Sequence, residues 1–358
     1  MPDTNSALRN TLHKVLGPER TDRLFDVLVI PQGIVAETGD TLSRAGIAQA
    51  LHMMLFEDLL ARVPDGKAYA DDCRRNGIRI THDHGAVRTV LHSGMGELPA
   101  GEEAITRVLR PLGYTLNGTY PLERLKMTGR SHAQDEYPEE IAQFFISELH
   151  PDRFSPEFQT AVARITSTSR DPLTPEARTL LVELEQNRSL HVDKAAKLLP
   201  VLAKVFQRQH DEPTVADYES LLKESAEMAW ISTEGNAFNH ATSRVPDVDA
   251  LAAEQKSLGR PMKETVEKSQ SGRVRQTAFL AARVQRKFRD TNGSLITREV
   301  PGSFYEFITR LPMEEDGKTK LDLSFDSSNA QAIFKMTANA GNQPPANAAK
   351  EPATAGKA

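Results

Sequence analysis

The sequence predicts an α+β fold in which two βαβββ modules face each other across a shared cavity. Helices precede the first module, and a helical block separates the two. Three observations carry this. The run Thr81-His82-Asp83-His84-Gly85-Ala86-Val87-Arg88-Thr89 has a shortened echo in Phe238-Asn239-His240-Ala241-Thr242-Ser243-Arg244. In each, a His preceded by Asp or Asn opens a strand-like stretch, and an Arg follows four residues later. Behind each run, the order of one strand, one helix and further strands recurs, as a duplicated unit would produce.

Residues 1–75 read as an N-terminal helical region. Thr41 is placed to cap a helix over residues 42–63, where Ile47, Leu51, Leu55 and Leu59 recur at helical spacing. From residue 78 to 91 the chain turns β-branched and carries the first His run. A helix over 102–112, ended by Gly113, and strands over 114–119, 124–128 and 141–149 complete a first module, 76–150. Residues 151–232 read as a helical insertion with helices over 156–166, 175–186, 192–207 and 214–229, their starts rich in Pro and Asp as helix N-termini prefer. The second module, 233–337, has a strand over 238–245 and a helix over 248–258 capped by Asp247. Strands over 276–288, 295–300 and 303–310 follow. The tail, 338–358, is Ala, Asn, Pro, Gly and Lys with little to bury, and is expected to be disordered.

Composition removes several function classes. The chain has 358 residues, enough for one large domain or two small ones. Its 44 basic and 49 acidic residues leave a net charge of -5, without the clustered basic field that nucleic acid requires. The single Cys73 excludes an intramolecular disulfide and a Cys-based zinc or iron–sulfur site. The N-terminus lacks the pattern of a signal peptide, and no apolar run approaches the roughly 18–20 residues of a membrane span. A cytoplasmic protein with no membrane or nucleic-acid partner is expected; oligomeric state is not legible. No glycine-rich phosphate loop, G-x-S-x-G elbow or H-E-x-x-H helix is present.

The chemistry concentrates in the repeated run. Strand alternation puts His82, His84, Ala86 and Arg88 on one face. Arg88 lies roughly 13 Å along the strand from His84 at ~3.3 Å per residue, and its guanidinium can fold back to hold a carboxylate bidentately. Gly85 and Ala86 are expected to keep the space beside His84 open. A metal at His84 and a cation at Arg88 would suit a short molecule acidic at both ends. His240 is the second ligand by analogy of setting. On the last strand Glu306 sits between Phe304 and Ile308, and a carboxylate among apolar neighbours is costly unless paired or metal-bound. Glu299 is the rival, although Pro301 and Gly302 place it near a turn; Glu306 has Arg298 and Arg310 as alternative partners. Arg244 is a second anchor or an ion-pair partner. Two His and one carboxylate are the facial triad of non-haem Fe(II) oxygenases. His82-x-His84 also matches the start of a cupin motif, but Arg88 stands where that motif supplies Glu.

Taken in order, residues 81–90, residues 238–240 followed by Arg244-Val245-Pro246-Asp247, and Pro301-Gly302-Ser303-Phe304-Tyr305-Glu306-Phe307-Ile308 resemble the 2-oxoadipate dioxygenase/decarboxylase (hydroxyglutarate synthase) family. Residues 120–126 and 145–149 resemble it too, and the likeness covers most of 20–335. That family belongs to the vicinal oxygen chelate superfamily of paired βαβββ modules. Phe304-Tyr305-Glu306-Phe307-Ile308-Thr309-Arg310 is also similar to the metal-ligand strand of 4-hydroxyphenylpyruvate dioxygenase in that superfamily.

The resemblance implies Fe(II) held by His84, His240 and Glu306. It implies a 2-oxo acid and O2 as the small-molecule partners, with the substrate bound beside His84 and His240 and its distal carboxylate on Arg88. No catalytic side chain is implied beyond the metal centre. The implied reaction converts 2-oxoadipate to 2-hydroxyglutarate with loss of CO2, in lysine catabolism. Two other readings remain at this level: a divalent-metal isomerase or lyase of the same fold, and a non-catalytic binder of small acids.

Overall fold

A computed structural model describes residues 6–315 and 317–327, so the expected tail at 338–358 lies outside the described residues. Helices α1 (Ala7–Leu16) and α2 (Pro18–Val27) and the single turn α3 (Gln32–Val35) lead to a short strand β1 (Thr41–Ser43), a long helix α4 (Arg44–Arg62) and α5 (Pro64–Arg75). Then come β2 (Thr81–Val90), α6 (Glu103–Leu109), β3 (Tyr114–Leu122), β4 (Met127–Gln134) and β5 (Gln143–Leu149). The intervening block holds α7 (Pro156–Thr166), α8 (Pro175–Asn187), β6 (Ser189–His191), α9 (Val192–Val205), α10 (Val215–Glu224) and α11 (Ala226–Glu234). The rest is β7 (His240–Arg244), α12 (Val248–Ser257), β8 (Glu267–Lys268), β9 (Val274–Ala278), β10 (Arg283–Arg289), β11 (Leu295–Pro301), β12 (Phe304–Arg310), β13 (Pro312–Glu315) and β14 (Lys318–Leu321).

Eight strands form one mixed sheet in the order β3-β4-β5-β2-β7-β12-β9-β8. Each half follows one plan. The first strand pairs parallel with the last (β2 with β5, β7 with β12), and the middle strands continue outward antiparallel. The halves join where β2 and β7 run antiparallel, pairing His84 with Thr242, Gly85 with Ala241 and Ala86 with His240. Exchanging the halves maps the first of these pairs onto the third, so a pseudo-two-fold axis passes by Gly85 and Ala241. The repeated His run of the sequence thus occupies equivalent places in the two halves of the sheet. The two halves are the paired βαβββ modules that the sequence predicts.

One face of the sheet is closed by a helix layer. The apolar stripe of α4 (Leu51, Leu55, Phe56, Leu59) is buried there, each side chain worth about 1.5–3 kcal/mol. Phe144 of β5 stacks on Phe206 just after α9 at 5.3 Å, and both rings lie within 6.0 Å of Phe238. Strand β1 pairs antiparallel with β6, and residues of α1, α4, α8 and α9 join one apolar core. The N-terminal helices and the front of the 151–232 block therefore form a single layer. No helix among the described residues is long and apolar enough to cross a membrane.

Several local expectations are corrected. The cap of α4 is Ser43, whose hydroxyl accepts from the Gly46 amide, because residues 41–43 are held as a strand by β6. The stretch 214–229 is two helices: Ser225 adopts extended φ/ψ and caps the second through the Met228 amide. Residues 123–125 form a 3-10 turn ending at left-handed Lys126, which delays β4 to Met127. The stretch 276–288 is two strands in different sheets, and β10 with β11 forms a hairpin outside the main sheet.

Gly85 does not open the cavity. A Cβ there would stand 2.2 Å from carbons of the Phe238 ring, on the helix-covered face. Gly85→Ala is expected to cost about 1–3 kcal/mol by overpacking, read as a lower denaturant midpoint with an unchanged slope.

Candidate metal centre

The three central strands each bring one side chain to a common point. His84 Nε2 lies 3.2 Å from Glu306 Oε2, His240 Nε2 lies 3.4 Å from the same oxygen, and the two imidazole nitrogens are 3.4 Å apart. All three residues are buried, and they form a His-His-Glu group able to hold a metal ion. Register explains the convergence. Antiparallel pairing sets His240 opposite Ala86, and parallel pairing of β12 with β7 sets Glu306 beside Thr242, the partner of His84.

A bulge in β2 decides which His takes part. His82 pairs with Ser243 and His84 with Thr242, leaving Asp83 as an extra residue. Adjacent residues of β7 face opposite ways, so His82 and His84 do as well, contrary to simple alternation. His82 turns into the helix layer, 5.2 Å from the His52 ring and 5.3 Å from Phe56, and its Nε2 meets the His84 carbonyl. Burial there lowers its pKa to about 3, opposing any charged role. The rival Glu299 is half exposed on the outer hairpin and pairs with Arg283 at 2.9 Å.

Asp83 orients the centre from behind. Its Oδ1 accepts from His84 Nδ1 at 2.8 Å, which leaves Nε2 to face Glu306. Arg310 donates to Asp83 through Nε and Nη2 at 2.9 Å each, and Arg244 Nε donates at 2.8 Å. Burial alone would raise the Asp83 pKa, but these two guanidinium groups and His84 hold it well below the usual carboxylate range. Arg244 is thus an ion-pair partner rather than an anchor for a ligand, and Arg310 pairs with Asp83 instead of Glu306. Arg298 pairs with Glu219.

The donor set fits a metal. Ligand atoms about 2.1 Å from one ion stand roughly 3.0–3.4 Å apart when their bonds meet at 90–109°. Glu306 Oε2 accepts from Thr242 Oγ1 at 2.5 Å, while Glu306 Oε1 is buried with no hydrogen-bond partner among the described residues. Burial lowers the His240 pKa to about 3 despite Glu306, keeping the imidazole neutral as a ligand must be. For His84, burial disfavours the charged form, but hydrogen bonds to Asp83 and Glu306 outweigh it and raise the pKa. Glu306 goes down, because His240 and His84 together overcome its desolvation.

A family profile described as 2-oxoadipate dioxygenase/decarboxylase matches residues 54–350. The chain belongs to the 2-oxoadipate dioxygenase/decarboxylase family. Among curated relatives, the chloroplastic 2-oxoadipate dioxygenase/decarboxylase of Arabidopsis thaliana is 25% identical over 215 residues, 55% of this chain and 51% of that one. The chain thus spans about half the length of that curated relative. A glyoxalase superfamily protein from Ralstonia eutropha JMP134 is 53% identical with a TM-score of 0.85, covering 89% of this chain and 98% of that structure. The hydroxyglutarate synthase of Oryza sativa, solved with 2-oxoadipate, shares the fold at 20% identity, TM-score 0.63, over 87% of this chain and 96% of that one.

Within this member of the family, Arg88 follows His84 along the same face of β2 and is fully buried. Its guanidinium lies 4.8 Å from the ring of Trp230, supplied by α11. Burial lowers its pKa to about 10, against the pull of Glu227, so it is cationic at neutral pH. The helical block therefore furnishes both the aromatic face and the acid beside Arg88. Sequence reading passed over Trp230, Thr242 and Asp83 as functional residues. The Asp83-His84 neighbourhood was the available signal, since an acid beside a ligand His commonly fixes its tautomer.

The raised His84 pKa sets a pH dependence. A proton on His84 Nε2 competes with an incoming ion, and the raised pKa carries that competition to higher pH than an ordinary histidine would. Below the ordinary histidine pKa, and so below the raised one, metal uptake is expected to release about one proton per ion and affinity to fall about tenfold per pH unit. Titration calorimetry in buffers of different ionisation enthalpy reads both; uptake without proton release would contradict the assignment.

Proposed function

We propose that this chain is a non-haem Fe(II)-dependent dioxygenase. It oxidatively decarboxylates and hydroxylates a 2-oxo diacid, with 2-oxoadipate as substrate and 2-hydroxyglutarate and CO2 as products. The observation that carries the reading is the buried His84–His240–Glu306 group with a buried cation, Arg88, on the same strand face. Family membership and the 2-oxoadipate held by the rice hydroxyglutarate synthase support the substrate class. The reaction balances without an external reductant: one O2 is consumed and one CO2 released per substrate, and all four electrons come from the organic acid.

Fe(II), held by the two Nε2 atoms and Glu306, would supply Lewis-acid binding of the 2-oxo acid group and activation of O2. The protein's own residues do the rest. Asp83 fixes the His84 tautomer, and Thr242 donates to Glu306 and fixes which oxygen faces the histidines. Arg88 would pair with the distal carboxylate and hold the chain between cation and metal, so that reacting groups meet in one orientation. The apolar walls, Phe304 against His240 among them, exclude water. With 2-oxoadipate as substrate, the reading places the reaction in lysine catabolism, with the cytoplasm as the proposed compartment.

Iron-loaded protein prepared without oxygen and then given 2-oxoadipate and O2 is expected to consume the two in equal amounts. His84→Ala, His240→Ala and Glu306→Ala are expected to lose iron and turnover, whereas Glu299→Ala keeps both. Oxygen uptake no greater than that of His84→Ala would sink the reading, and turnover in strict anaerobiosis would favour isomerase or lyase chemistry. Arg88→Met is expected to lower kcat/KM for 2-oxoadipate by about 10–150-fold, the worth of a hydrogen-bonded charge, with little change for a 2-oxo monoacid of similar length. An equal loss for both acids would remove Arg88 from carboxylate recognition.

A further inference from the structure

The segment following β14, residues 322–327, passes beside the metal centre. Phe325 inserts its ring edge-on to His84 at 4.8 Å and lies 4.8 Å from the ring of Phe145 and 5.7 Å from Tyr120. By the pseudo-two-fold, Phe145 occupies on β5 the place that Glu306 holds on β12. The first module therefore offers an aromatic surface where the second offers a ligand, and Phe325 covers it. Backbone groups pin the segment down: Gln143 Nε2 donates to the Leu323 carbonyl at 3.2 Å, and the Phe325 amide donates to the Tyr120 hydroxyl at 3.2 Å.

The strongest tether is Arg310. Its Nη1 donates to the Asp322 carbonyl at 2.8 Å and to the Ser324 carbonyl at 2.7 Å, while Nε and Nη2 bind Asp83. The side chain is wholly inaccessible to water. Lifting the segment would strip both acceptors from a buried Nη1, at about 1–3 kcal/mol per group left unsatisfied. It would also free the guanidinium to swing, loosening the acid that orients His84. One rigid planar group therefore serves two clients, which the flexible single-point ammonium of Lys cannot do.

We propose that Arg310 is a positioning residue that sets the Phe325 segment and the His84 ligand as one unit, so that metal binding and closure of the segment stabilise each other. The inference rests on the metal-centre reading above. Phe325 then forms the wall that limits the bulk of a 2-oxo acid beside the metal, and directs the acid's chain away toward Ala86 and Arg88.

The test uses Co2+ as probe, with calorimetry and amide hydrogen exchange of residues 318–327, and needs no turnover. In the wild type, Co2+ is expected to slow exchange of the 322–327 amides by about tenfold. Arg310→Lys is expected to weaken Co2+ binding by about 10–100-fold and to exchange fast with or without the ion. Asp83→Asn, which leaves Arg310 its backbone acceptors, is expected to lose the effect of Co2+ on exchange. Phe325→Ala, with the Co2+ protein kept anaerobic, is expected to gain at least tenfold in affinity for a C3-branched 2-oxo acid relative to 2-oxoadipate. Melting curves confirm that each variant is folded. Wild-type Co2+ affinity in folded Arg310→Lys, or exchange in the wild type that ignores Co2+, overturns the coupling. Failure to bind Co2+ overturns this inference together with the metal centre, whereas binding and coupling without turnover of any 2-oxo acid overturn the proposed reaction alone.

Discussion

A carboxylate with no access to water must be neutralised by its neighbours, and Asp83 is such a group. Its partners come from elsewhere in the sheet: Arg244 ends β7 and Arg310 ends β12, while Asp83 itself is the bulged residue of β2. These are the three strands that carry His240, Glu306 and His84. The ion cluster therefore ties together the three elements whose mutual placement makes the centre. Such a cluster adds little stability over a well-packed apolar core, but removing one partner strands a buried charge at about 3–5 kcal/mol. Its value lies in permitting a single arrangement of the strands.

Symmetry builds the centre and its breaking makes it usable. Equivalent positions on β2 and β7 supply His84 and His240, so the two histidines approach across the axis. The last strands differ, with Glu306 on one and Phe145 on the other. A second acid at Phe145 would crowd the centre with charge; an aromatic ring leaves one side of it apolar. The long insertion treats the two arginines differently, bringing Trp230 to Arg88, whereas Arg244, in the equivalent setting, has been turned to Asp83.

Much of this was legible in the residues. The helical stripe of α4, the β-branched run at β2 and the repeated His-containing run follow from periodicity and local pattern. His84 and His240 stood out through the repeated run, and Glu306 as a carboxylate set between Phe304 and Ile308 on its strand face. What escaped had non-local causes. The bulge that reverses His82 is set by pairing with β7, which alternation along a single strand cannot reveal. Ser43 displaced Thr41 as a cap because β6, far along the chain, holds residues 41–43 extended. Gly85 looked like an opening for a ligand, yet its small size answers to Phe238 on the opposite face.

Distance along the chain has one more consequence. His84 and His240 are separated by 156 positions, and Asp83 and Arg310 by 227. Closing such loops comes late, after local helices and hairpins have formed, because the entropy of closure must be met before the contacts repay it. No fragment lacking any one of β2, β7 and β12 holds the complete centre. Ion uptake during refolding would thus lag behind the recovery of helix, and its time course would mark the last docking event of the chain.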